Sequence, residues 1–267
     1  LRFTIDALGR ITENVYFEDT VTHAIGLVRE TIQYADTIDG LTRFDYHSVQ
    51  TYVAGLTSPT TRNNYFVYDS QQRLRYTVNA DGEVARFDYD DFGNVIRSTR
   101  YAASFNANGQ QPTVSEMDPW AGDNSVGSRT TRNYYNSRNE LRFTVDAEGY
   151  VVQFEADPLG RQSNTYRYEN QVSATNSWTI DDVIAADLGA SIETRVNYDA
   201  FGNLNLSLDG TNSRTVLGFT NSGFHYLDIR GEDTDDEIRT RYHTDGANRI
   251  TKETRYLGNS NVDAYTA

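Results

Sequence analysis

Cysteine is absent from the 267 residues. That excludes disulfides, thiolate metal sites and a cysteine nucleophile. Lysine is nearly absent: of the 24 basic residues, Lys252 is the only lysine and the rest are Arg. Arg carries a planar fork that bridges carboxylates and stacks on rings, so cross-strand Arg–Asp and Arg–Tyr contacts are its expected use. No run of about 18 apolar residues occurs, so nothing reads as a membrane-spanning helix. There is no secretory leader pattern and no initiator Met, and Leu1 falls inside a repeat; the expectation is a segment of a longer chain. Basic charge is outweighed by acidic, leaving a net −14. Such a surface repels phosphate backbones, which argues against nucleic-acid partners, and it keeps an extended structure soluble.

What the chain does have is aromatics. Hydrophobic content is only 37 %, but 19 Tyr and 12 Phe bring aromatics to 12 %. A disordered chain would be poor in them. Tyr supplies apolar area while its hydroxyl stays wet, which suits a sheet with one solvated face.

The chain also repeats itself. Shifting residues 68–101 by 67 superimposes them on 135–168: Leu74 falls on Leu141, Gly82 on Gly149, Phe87 on Phe154, Gly93 on Gly160 and Tyr101 on Tyr168. Such a period signals a repeat architecture. Copies lie at about 1–34, 61–101, 130–168 and 193–231, with a partial fifth at 240–256; six extra residues expand the first copy near Glu18–His23. The inserts are 35–60, 102–129 and 169–192. We treat residues 1–267 as one repeat array. In the first insert Val49, Tyr52, Val53 and Leu56 have helical spacing behind a Ser48 cap. The second, rich in Asn, Gln, Gly, Ser and Pro, reads as a loop with one helical turn near Thr113–Met117. In the third, Ile180, Val183, Ile184 and Leu188 share a helical face between a Thr179 cap and a Gly189 stop.

Within each copy, apolar residues alternate strictly: Leu1/Phe3/Ile5, Leu74/Tyr76/Val78, Leu141/Phe143/Val145 and Leu204/Leu206/Leu208. Period two is the signature of a strand buried on one face. Between strands, Asp6–Gly9, Asn79–Gly82, Asp90–Gly93, Asp146–Gly149, Asp157–Gly160 and Asp199–Gly202 share one design, with further turns expected at Asp209–Asn212 and Thr220–Gly223. Asp or Asn opens a type I turn by accepting from its own backbone, and Gly three residues on takes positive φ. The predicted fold is mainly β: antiparallel hairpins in a continuous spiralling sheet of roughly 16–18 strands at about 4.8 Å spacing, with short helical inserts. Tyr34, Tyr101 and Tyr168 form a structural column, with rings expected to lie over a neighbouring strand's Gly.

The unit Tyr–Asp–x–x–Gly–Asn stands as YDDFGN (89–94), YDAFGN (198–203) and, altered, YHTDGA (242–247); Arg-Tyr closes copies at Arg100-Tyr101, Arg167-Tyr168 and Arg255-Tyr256. This set resembles the YD repeat of RHS-repeat proteins. The resemblance implies a spiralling β-shell like those of RHS, toxin-complex and teneurin proteins. In bacterial members such shells enclose a C-terminal toxin, and in teneurins they belong to an adhesion receptor. The regular inserts resemble those of large bacterial YD-repeat surface proteins, which implies an extracellular or cell-surface location.

Catalytic chemistry is not expected. His23, His47, His225 and His243 have no metal-ligand spacing. Asp157-Pro-Leu-Gly160 is similar to the DPxG of the RHS protease core, but it aligns with the plain turn at Asp90–Gly93. No cofactor is expected. Calcium is weighed only for the turn aspartates, whose oxygens are spent on turn amides, and for the acidic run 231–237, which reads more simply as solvated charge. The leading function is therefore a structural wall or filament segment, whose partners are its own repeats and self-association. A glycan- or receptor-binding module and part of a toxin-enclosing cocoon are the alternatives.

Overall fold

The computed structural model describes residues 2–18, 25–38, 45–56, 60–208, 214–219, 225–232, 238–245, 247 and 249–257. Among these lie seventeen strands and three helices, and the strands form an antiparallel sheet. The chain divides into two compact units, Leu1–Arg132 and Asn133–Ala267.

The first unit carries β1 (Phe3–Ile5), β2 (Arg10–Tyr16), β3 (Val28–Thr37), α1 (Tyr46–Ala54), β4 (Thr61–Tyr68), β5 (Leu74–Val78), β6 (Glu83–Tyr89), β7 (Val95–Ser104), α2 (Val114–Asp123) and the start of β8 (Arg129–Tyr135). Each strand pairs antiparallel with the next, from Ile5 opposite Ile11 to Arg97 opposite Arg132. The second unit carries the end of β8, then β9 (Leu141–Val145), β10 (Tyr150–Ala156), β11 (Gln162–Gln171), α3 (Ile180–Ala185), β12 (Ser191–Tyr198), β13 (Leu204–Leu208), β14 (Arg214–Phe219), β15 (His225–Glu232), β16 (Ile238–Thr244) and β17 (Ile250–Leu257). From β9 onward the same up-and-down pairing continues.

The alternation in sequence becomes burial on one face. Tyr76, Val78 and Val84 are buried in the first unit, and Phe143, Val145 and Val151 in the second. Each insert lays a helix against that face: Val49 from α1, Met117 and Ala121 from α2, and Val183 from α3 are buried in three separate clusters. The strands at the base of each insert stay paired. Tyr34 sits opposite Thr61, Arg100 opposite Arg129 and Tyr168 opposite Ser191.

Several sequence expectations are corrected. α1 is capped by Asp45, whose Oδ1 accepts from the Ser48 N–H at 2.9 Å; Ser48 is not the cap. In the second insert the helical turn expected near Thr113–Met117 extends further, between irregular stretches 105–113 and 124–128. The insert carries the ten-residue α2, capped at Thr113 with Glu116 completing the capping box, and it contains Pro119. α3 ends at Ala185, well before Gly189, and Ile184 is 61 % exposed, off the face of Val183. Strands β3, β7 and β11 run on into residues assigned to inserts. The first-copy expansion beyond Glu18, His23, the turns at Asp209–Asn212 and Thr220–Gly223, and residues 233–237 of the acidic run lie outside the described residues.

Candidate functional site: the covered face of the repeats

The turns set the strand register on which the covered face depends. Gly9, Gly82, Gly93, Gly149, Gly160 and Gly202 have φ between 77° and 96°. At Asp6, Asp90, Asp157 and Asp199 one carboxylate oxygen accepts from the backbone N–H groups two and four residues on, at 2.8–3.0 Å. Asp146 does the same toward Glu148 and Tyr150. In the turns whose fifth residue is Arg, Asn or Glu the second side-chain atom pairs with that residue, a code the sequence reading did not include; at Asp146 the fifth residue is Tyr150. Asp faces a donor: Arg10, Arg73, Asn94, Arg161, Asn203 or Arg249. Asn79 and Asn136 instead donate to Glu83 and Glu140. The Arg161 and Asn203 side chains, with the turn amides, hold the carboxyls of Asp157 and Asp199 below the usual range; at Asp6 the Arg10 amide leads and its guanidinium follows, and at Asp90 burial pushes up but the Asn94 side chain and the turn amides prevail. In the altered copy the turn opens at Asp245, three residues after Tyr242, so His243 does not occupy the aspartate position.

Three of the glycines do more than turn. The carbonyls of Gly9, Gly82 and Gly149 each accept at 2.8 Å from an N–H just beyond β3, β7 or β11: Ile38, Phe105 and Val172. At Gly82 a Cβ would lie 2.8 Å from the Phe105 carbonyl oxygen. These three glycines are covered by backbone, because the β2–β3, β6–β7 and β10–β11 pairings carry on past the turn; an aromatic ring lies over a neighbouring strand's glycine at Gly218, where a Cβ would lie 2.8 Å from the Tyr226 ring.

The tyrosine column belongs to three clusters, one under each helix. Its hydroxyls find one equivalent position on β2, β6 and β10. Tyr34 donates to Glu13 at 2.8 Å and Tyr168 donates to Gln153 at 2.6 Å, and the matching residue on β6, near Tyr101, is Arg86. Burial, then the Glu13 contact, pushes the Tyr34 hydroxyl well above its ordinary value.

The polar centre of the second repeat is Asp88. It is 6 % exposed and ringed by Arg75 at 2.5 Å, Arg97 at 2.6 Å and Arg86 at 3.0 Å. Burial pushes its carboxyl up, but the Arg97 hydrogen bond and the surrounding guanidinium charges prevail and hold it below the usual range. Asp118 of α2 bonds the Tyr76 hydroxyl and reaches Arg75 at 3.5 Å, tying helix to sheet. Arg73 and Arg161 lie over the rings of Tyr89 and Tyr198 at 4.8 and 4.3 Å, so the Arg–Asp and Arg–Tyr contacts expected from the composition are present.

His47 lies on α1 and His243 on β16. Among the described residues no cluster of three or more acidic or His side chains could hold a metal. No helix among them is long and apolar enough to cross a membrane.

No protein-family model and no curated protein matches the chain. Solved structures do. The TcdB2–TccC3 crystal structure matches with a TM-score of 0.58 at 12 % identity over 96 % of this chain. TcdB2–TccC3–Cdc42 matches with the same score and identity. The Photorhabdus luminescens Tc holotoxin pore with a TccC3 variant matches at 0.59 and 12 %. The chain spans 11 % of the length of each of these. Its fold is therefore the antiparallel β fold found in Tc toxin complexes.

Proposed function

We propose that the chain is a load-bearing wall segment of a large extracellular or surface-located bacterial YD-repeat protein, with no catalytic role and no cofactor. The observation that carries this is the recurrence of one structural solution: clamped turns, strand pairing carried past Gly9, Gly82 and Gly149, and a helix over the apolar face. Each repeat covers its own apolar face with its insert helix, and nearest-neighbour strand pairing joins the repeats into a wall. Electron microscopy of the intact protein tests it. A continuous β wall extending past both ends of this segment is expected; separated globular beads would refute it.

A second reading, enclosure of a toxin, is favoured by the match to TcdB2–TccC3. Protease digestion of the intact protein separates the two. A protected internal fragment released only on denaturation supports enclosure, and its absence supports a plain wall.

A further inference from the structure

Asn108-Gly109 is the chain's only Asn-Gly pair. It forms the tip of a tight turn in the arm between β7 and α2, closed by the Gln110 N–H donating to the Ala107 carbonyl at 2.8 Å. Both residues have positive φ, 50° and 73°, and both are exposed. A Cβ built on Gly109 would meet nothing within 4 Å.

The reactive groups of this pair are uncommitted. Asn108 Nδ2 reaches only the Asn106 carbonyl, at 3.5 Å, long for a hydrogen bond. Among the described residues the Gly109 N–H has no acceptor. Comparable pairs are held. Asn124 Nδ2 donates to the Trp120 carbonyl at 2.8 Å, and the Asn136 side chain bonds Glu140 and the amides of Arg138 and Glu140. At Asp81-Gly82, Arg62 holds the carboxylate at 2.6 Å and the Gly82 N–H donates to the Asn79 carbonyl.

We infer that Asn108 is the chain's preferred site of spontaneous conversion to aspartate and isoaspartate. The Gly109 nitrogen attacks Asn108 Cγ; the Cγ–Nδ2 bond breaks, and ammonia leaves with the proton that the nitrogen gives up. Glycine, having no Cβ, crowds this attack least. Water then opens the cyclic imide. Addition at Cγ restores the backbone with an aspartate, and addition at the backbone carbonyl routes the chain through Cβ as isoaspartate. Isoaspartate puts an extra methylene into the backbone of the turn. Its two flanks are anchored: Ala107 packs on the cluster of Tyr76 and Met117, and Gln111 Nε2 donates to the Phe66 carbonyl at 3.1 Å. The isoaspartate form therefore loosens the arm that ties the second insert to β4. The inference stands whether or not the chain is a wall.

The test incubates the full chain at mildly alkaline pH, digests it with trypsin and maps the fragment 101–129 by tandem mass spectrometry. The mass gain of an amide-to-acid exchange is expected at Asn108 before Asn106 or Asn124, with isoaspartate among the products, and more slowly at mildly acidic pH. Asn108→Ser should remove the early gain, and Gly109→Ala should slow it several-fold. Hydrogen exchange across 105–113 should be faster in the isoaspartate form than in fresh chain. Conversion at Asn124 as fast as at Asn108 overturns the inference. So does conversion only when urea unfolds the chain, which would show that the turn protects the pair. Unchanged exchange across 105–113 overturns the loosening of the arm.

Discussion

At the scale of single residues, two glycines with the same backbone conformation have different jobs. Gly82 and Gly93 have φ of 82° and 88°, so Ala at either carries about 1–2 kcal/mol of left-handed strain. Gly93 has open space around it, whereas a Cβ on Gly82 must displace the Phe105 carbonyl. Gly82→Ala should therefore cost clearly more than Gly93→Ala in urea melts; equal losses would show that the strand paired past the turn yields freely. Asp88 is the other residue with an outsized role. Replacing it by Ala leaves three guanidinium groups around an empty place, and uncompensated buried charge costs about 3–5 kcal/mol. Chemical denaturation of Asp88→Ala measures this, and a loss under 1 kcal/mol would mean that water reaches the arginines.

The turn code was readable at this scale and was overlooked. Asp6, Asp69, Asp90, Asp157, Asp199 and Asp245 are followed four residues later by Arg or Asn, Asp146 by Tyr, and Asn79 and Asn136 by Glu, a complementarity visible in the letters alone. Exchanging the pair at Asn79 and Glu83 for Asp and Arg should preserve stability, while Glu83→Arg beside the unchanged Asn79 should lower it. A double-mutant cycle by thermal melting checks the sign of the coupling. The tyrosine partners were not readable, because bulges in β6 and β10 shift the register that brings Tyr101 and Tyr168 to Arg86 and Gln153.

At the scale of elements, strands and hairpins followed from alternation and turn chemistry because both are local. The helices were less legible. α2 hides behind Pro119 and a flank rich in Asn, Gly and Gln, and its helix is held by tertiary burial of Met117 and Ala121 more than by propensity. In α3, periodicity overextended the helix, since Ile184 looks like a core residue but faces outward. Met117→Ala should cost about 2–5 kcal/mol, as large-to-small core changes do, and should raise hydrogen exchange in α2 before β5. Simultaneous loss of protection in both would mean that helix and sheet open as one unit.

At the scale of the whole molecule, the net charge of −14 coexists with many carboxyls held below their ordinary values, including Asp69, Asp88 and Asp90. A depressed folded-state value contributes stability that is fully present above the unfolded value of about 3.9 and is lost as pH falls through the folded one. The melting temperature should therefore hold from neutrality down to about pH 5 and fall progressively below about pH 4. The Asp88→Asn variant should fall less steeply; an identical acid limb would show that Asp88 titrates alike folded and unfolded.

Because each insert departs and returns between residues already locked opposite one another, as Tyr168 is to Ser191, its length and contents are decoupled from the strands that carry it. A helix can be swapped, shortened or enlarged there as a cassette while the hairpins keep their register. The hairpin form recurs from repeat to repeat, and the three inserts that hang from it differ in helix length and sequence.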